Sequence, residues 1–182
     1  MKSIVTAIED PWRDQIAEIW GELKAVFGPA GLTGAVRPYV TFHVARDYAP
    51  GIEQALASIA ARGTPFRIET HGIGITEGAQ SVIYLHVTRT EALDDVHHVI
   101  HHAAQPLAVS AKPAYENETW LPHIAVATGP IPPDTLPRVM EFLGRRDYAW
   151  TITATNLCLI PDTSLVSAEW VRFELRRLED GR

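Results

Sequence analysis

Cysteine is nearly missing from this 182-residue chain, where Cys158 stands alone. A single cysteine excludes an internal disulfide and a cysteine-based zinc site. Positive charge is also scarce: 16 Lys and Arg stand against 22 Asp and Glu, for a net charge of −6. That balance lacks the footprint of a protein carried on duplex DNA or on an anionic membrane. A small phosphate-bearing ligand remains compatible with it, because a pocket needs only local donors. No stretch of about 18 apolar residues is present, so no transmembrane helix is expected. The first apolar run stops at Glu9-Asp10, too short for a signal-peptide core. A cytoplasmic location is the expectation from these two absences. Lysine is rare beside arginine, 3 against 13, which with the many alanines suits GC-rich bacterial coding. A length near that of one ordinary domain suggests a single unit, built from two similar halves around a groove. A monomer is expected.

What is present is an ordinary globular composition, 46% hydrophobic and 21% charged. Ser3 to Ile8 reads as a strand, and Asp10 with Pro11 as the start of a helix in which Ile16, Ile19, Trp20, Leu23 and Phe27 recur at helical spacing. Val36 to Ala45 alternates as a strand, with Arg37, Tyr39, Thr41 and His43 on its polar face. A helix from Pro50 to Gly63 follows. Phe66–Thr76 and Ser81–Thr88 read as a hairpin around Glu77–Gln80, the second strand turning Tyr84, His86 and Thr88 to one side. Glu91 to Ala104 is a helix, and Pro122 to Thr128 a strand with His123, Ala125 and Ala127 outward. A short helix over Pro133–Gly144 and strands over Tyr148–Ile160 and Ser167–Arg176, around a Pro161-Asp162 turn, complete the chain. The pattern β-α-β-β over 36–88 returns over 122–176. Mixed order with antiparallel hairpins predicts an α+β fold rather than a doubly wound parallel sheet.

The two halves carry matching segments, Pro38-Tyr39-Val40-Thr41-Phe42 and Pro122-His123-Ile124-Ala125-Val126. With this pairing and element order, nearly the whole chain resembles the 2H phosphoesterases, also called LigT or 2'-5' RNA ligase-like proteins. That family carries two His-x-Thr/Ser motifs, one per lobe, facing each other across a groove. The resemblance implies a two-lobed fold of two antiparallel-rich sheets with helices outside. It implies action on small RNA ends or nucleotides with a 2',3'-cyclic or 2',5'-linked phosphate. No cofactor or metal is implied. The chain departs from the pattern twice: Tyr39 stands at the first histidine, and Ala125 at the second hydroxyl.

Opening a cyclic phosphodiester needs a base for water and an acid for the leaving oxygen, roles that two imidazoles fill near neutral pH. Hydroxyls donate to the phosphate oxygens as charge develops. His123 is the expected acid or base, and Thr41 the phosphate donor. Tyr39 would supply an acid or a donor, or stack on a base, but a phenol is a poor base at pH 7. Alternation places His43 on the same strand face as Tyr39, about 13 Å along, as one replacement for the lost histidine. His86 is another. Tyr84, Trp120 and Trp170 are candidates to stack on a nucleobase, and Arg172 to pair with a phosphate.

Other motifs read structurally. His97, His98, His101 and His102 lie on one helix, where Leu93, Val96, Ile100 and Ala103 form the expected buried stripe, leaving the histidines at its margins and towards solvent. Gly72-Ile73-Gly74 lies in a strand pattern without a phosphate-loop lysine. Cys158 is expected buried and inert. The leading reading is a phosphoric diester hydrolase. Its alternative is a catalytically degenerate nucleotide- or RNA-end-binding module of the same fold, and a divergent enzyme with another phosphate ester or lactone-like substrate is a third.

Overall fold

The computed structural model describes residues 1–28, 33–34, 37–76, 81–161 and 169–176. Its elements run β1 (Lys2–Ala7), α1 (Trp12–Phe27), β2 (Thr33–Gly34), β3 (Tyr39–Tyr48), α2 (Ile52–Arg62), β4 (Phe66–Ile75), β5 (Ser81–Val87), α3 (Glu91–Ala104), β6 (Ala108–Ala111), β7 (His123–Gly129), α4 (Leu136–Leu143), β8 (Thr151–Ala154), β9 (Asn156–Ile160) and β10 (Val171–Glu174). The hairpin turn expected at 77–80 and the turn at Asp162 lie outside the described residues. No described helix is long and apolar enough to cross a membrane.

Among the described residues every strand pairing is antiparallel, in the order β10-β9-β1-β3-β7-β5-β4-β8, with β2 on β7 and β6 on β3. The two strands that carry the matching segments, β3 and β7, are neighbours at the centre, joined at Val40–Ile124. The sheet is therefore α+β and antiparallel as expected, and its halves meet in one continuous path. The halves in space are not the halves in sequence. β4 and β5, which follow the first segment, flank the second segment's β7, while β9 and β10 extend the β1 side.

The crossing is made within one stretch read from sequence as a single strand. Thr151–Ala154 pairs with β4, and Asn156–Leu159 takes up β1 and β10. Thr155 marks the change. Asn156 anchors the new partner, accepting from the Ala7 N–H (2.9 Å) and donating to its carbonyl (3.1 Å). A fully buried amide needs such partners.

Among the described residues four α-helices bury side chains in the core. α1 buries Ile16, Ile19 and Leu23; α2 buries Ile52, Leu56 and Ala60. Asp10 does not cap α1: Pro11 holds the N-cap position, and the Asp10 carboxylate instead accepts from Arg13 at 2.7 Å. In α3 the buried stripe is Leu93, His97, Ile100 and Ala104, so it is turned from the expected one. His97 is 0% exposed, stacked on Trp120 at 3.9 Å. Its Nε2–H lies 3.1 Å from both the Phe42 and the Tyr115 carbonyl. Those acceptors and that ring make an imidazole acceptable in the core. Burial pushes its pKa down to about 4. His98 and His102 face solvent.

Candidate functional site

Antiparallel pairing brings opposed residues to one face of a sheet, so rows of side chains can be followed across strands. One row runs Arg172, Cys158, Val5, Thr41 through β10, β9, β1 and β3. The pairing of Val40 with Ile124 sets Thr41 opposite His123, and His123 is opposite His86 on β5. The next row runs Ala7, Tyr39, Ala125, Tyr84 and Gly74. Thr41, Tyr39, His123, Ala125, Tyr84 and His86 are all half-buried, whereas the intervening Val40, Ile124 and Leu85 are fully buried beneath the helices. The six therefore share the face away from the core.

The single pairing of β3 with β7, Val40 with Ile124, has the two departures, Tyr39 and Ala125, flanking it on one side and the retained Thr41 and His123 on the other. A large ring and a methyl group thus share one side of it. Tyr39 packs edge-on against Trp170, with centroids 5.7 Å apart, and the Arg37 guanidinium lies over Trp170 at 5.4 Å. On the far side of Ala125, the Tyr84 ring lies 5.1 Å from His123. It lies across Gly74, where a Cβ would come within 2.4 Å of the ring.

His123 is held by its own turn. Its Nδ1 is 2.8 Å from the Leu121 carbonyl, which can only accept. The proton therefore sits on Nδ1, and Nε2 carries the lone pair. His86 adjoins His71, whose ring is 4.5 Å away and whose Nδ1 is 3.0 Å from the Thr88 hydroxyl. His86 is held below the ordinary histidine pKa by burial, then by the charges of His71 and His123. Sequence alternation does not single out His71. An extra residue in β4, between the Thr70–Val87 and Ile73–Leu85 pairs, breaks the pattern that would have placed it. Gly72 takes φ +62° there.

Two candidates are placed elsewhere, and a third is already engaged. His43 does not line the groove. β1 pairs Ile4 with His43 but Val5 with Thr41, so Phe42 is an extra residue and the strand changes face. His43 is 1% exposed, accepting from the Tyr48 hydroxyl (2.6 Å) and donating to Gln105 Oε1 (2.9 Å) beside His101 of α3. Burial lowers its pKa. Trp120 is 2% exposed between Phe42 and His97 and donates Nε1–H to the Thr41 carbonyl at 2.8 Å, so it is a core residue and offers no stacking face. Arg172 lies on the site's row but bonds Glu9 at 2.7 Å and Glu174 at 2.5 Å, so two carboxylates occupy its guanidinium.

Cys158 is buried, with its thiol pushed up to about 11 by burial. Among the described residues no three His, Cys, Asp or Glu side chains converge as metal ligands. A cavity of about 680 Å³ opens on the helix side, between Ile59, Phe66, Val96 and Leu175, away from the histidine row.

The chain matches the family model of the 2'-5' RNA ligase superfamily over residues 9–163. No curated protein matches it closely in sequence. Among solved structures it is similar to TT0787 of Thermus thermophilus, at TM-score 0.66 and 14% identity, covering 98% of this chain and 99% of that one. It is similar to E. coli LigT complexed with 3'-AMP, at TM-score 0.63 and 14% identity over 96% of each chain. Kluyveromyces marxianus Usb1 follows at 0.60 and 10%, over 96% and 97%. Those likenesses show a shared fold, and the family match covers most of the sequence: the chain belongs to the 2'-5' RNA ligase superfamily, within the 2H phosphoesterases.

Proposed function

We propose that this protein hydrolyses a phosphodiester of a small nucleotide or RNA end, carrying a 2',3'-cyclic or 2',5'-linked phosphate. The observation that carries the reading is the Nδ1–H bond of His123 to Leu121, which leaves Nε2 basic beside Thr41. Nε2 takes a proton from water as the water oxygen forms a bond to phosphorus. Thr41 donates its hydroxyl to a non-bridging oxygen. The P–O bond to the sugar breaks, and the sugar oxygen takes the Tyr39 phenol proton, which solvent restores. Tyr39 and His123 lie on opposite sides of the Val40–Ile124 pair, a diagonal relation that separates residues by about 7–8 Å and leaves room for a phosphate between. E. coli LigT, of the same fold, is known complexed with 3'-AMP, a nucleoside monophosphate such a reaction could release. The net charge of −6 favours this small substrate over duplex DNA or a membrane.

The substitution of both Tyr39 and Ala125 favours a second reading, a groove that binds nucleotide without turning it over. Incubation with the four nucleoside 2',3'-cyclic monophosphates over pH 5–9 separates the two. Release of a 2'- or 3'-monophosphate supports the hydrolase. Nucleotide binding by calorimetry with no release in any condition supports the binding module.

A further inference from the structure

The motif rows lack two things, a histidine at Tyr39 and a hydroxyl at Ala125. We propose that His86 is a catalytic residue that makes good the second loss: its Nε2–H donates to a phosphate oxygen in place of the missing hydroxyl, and it transfers no proton. The proposal rests on the hydrolase reading for the identity of the acceptor.

His86 is the direct cross-strand partner of His123 and shares its face of the sheet. It also stands diagonally across from Ala125, beside the vacated position. Its Nδ1 is buried and has no hydrogen-bond partner. A buried N–H without an acceptor is rarer and costlier than a lone pair without a donor. The proton therefore belongs on Nε2. His123 has the opposite tautomer, so the pair presents one lone pair and one N–H from adjacent strands. The groups facing His86 hold it in that state. His71 lies against the ring from β4 and is tied to Thr88, and His123 lies on β7. Partial burial, and then the two neighbouring imidazoles, disfavour a positive charge on His86, so it remains a neutral donor at pH 7.

The test has an arm independent of turnover. Long-range ¹⁵N–¹H spectra of histidine-labelled protein, assigned against His86→Gln, should show His86 protonated on Nε2 and His123 on Nδ1 at pH 7.5. An Nδ1–H tautomer at His86 overturns the proposal. In the second arm, His86→Gln places an amide N–H near the Nε2 position but cannot relay a proton. Its turnover of nucleoside 2',3'-cyclic phosphates should stay within about tenfold of the parent with the same pH profile. His86→Phe should lose about 10²–10³, the usual effect of removing one such donor. A folded His86→Gln as inactive as His86→Phe would overturn the donor role. A parent with no turnover would sink the hydrolase reading instead. The question then passes to titration with 3'-AMP, where a shifted His86 Nε2 resonance supports the donor role and an unmoved one overturns it.

Discussion

His86 on β5 and His123 on β7 are paired directly across the sheet, although the whole of α3 separates them in sequence. The exchange of strands between the two halves produces that contact. It makes the second half of the site richer in imidazole than either matching segment alone suggests. The retained pair, Thr41 with His123, and the altered pair, Tyr39 with Ala125, lie on either side of the Val40–Ile124 pairing.

Thr41→Val should lower kcat/KM by about 10²–10³, because it removes a hydroxyl aimed at developing charge. Thr41→Ser should keep most of the activity. Steady-state kinetics on a 2',3'-cyclic nucleotide checks both, and equal activity in the valine variant would remove Thr41 from the mechanism.

Because Tyr39 and Ala125 form one unit, restoring the family pattern should be cooperative. The double variant Tyr39→His/Ala125→Thr should gain more in kcat/KM than the product of the single gains, as expected for positions that act on one phosphate. Simple additivity in the double-mutant cycle would show that the two positions act separately.

Gly74→Ala should destabilise the protein by about 1–3 kcal/mol, since the new methyl would overlap the Tyr84 ring. Adding Tyr84→Ala should recover part of that loss. Urea unfolding of the singles and the double measures the coupling, and an unperturbed Gly74→Ala would contradict the placement of Tyr84.

His43→Ala should cost about 1–3 kcal/mol of stability, because the Tyr48 hydroxyl and Gln105 lose a buried partner. Its kcat should match the parent, since the ring lies on the core side. A selective loss of kcat in a fully folded variant would return His43 to the groove.

Acid should unfold the protein partly through His97. Its folded pKa of about 4 lies below the ordinary 6.5, so the unfolded chain binds the proton first. Stability from this group is present above about pH 6.5 and is lost as pH falls through 4, at roughly 1.4 kcal/mol per unit of displacement. Buried His43 acts in the same direction. His97→Phe keeps a ring against Trp120 and should flatten the fall in urea midpoint between pH 6.5 and 4. An unchanged slope would contradict the assignment.

Much of this was legible in the sequence because strand alternation and helical spacing report burial. Tyr39, Thr41, His123, Tyr84 and His86 share the face their alternation gave them. Legibility failed where an extra residue broke the alternation, at Phe42 before His43 and near Gly72 beside His71. It failed again at His97, whose burial depends on carbonyls and a ring contributed by distant segments. The crossing at Thr155 left no local signal, since both sides of it are good strand sequence. Trp120 and Arg172 have residue types suited to ligands, and only their partners show that they are already engaged.

The role of His123 as the base can be decided by phosphorus NMR of 2',3'-cyclic AMP incubated with the parent and with His123→Ala. The parent should convert it to a single monophosphate. The variant should lose about 10³-fold or more, as expected for removing an acid–base group, with nucleotide binding retained. Conversion by His123→Ala at the parent's rate, or none by the parent at any pH from 5 to 9, would contradict that role.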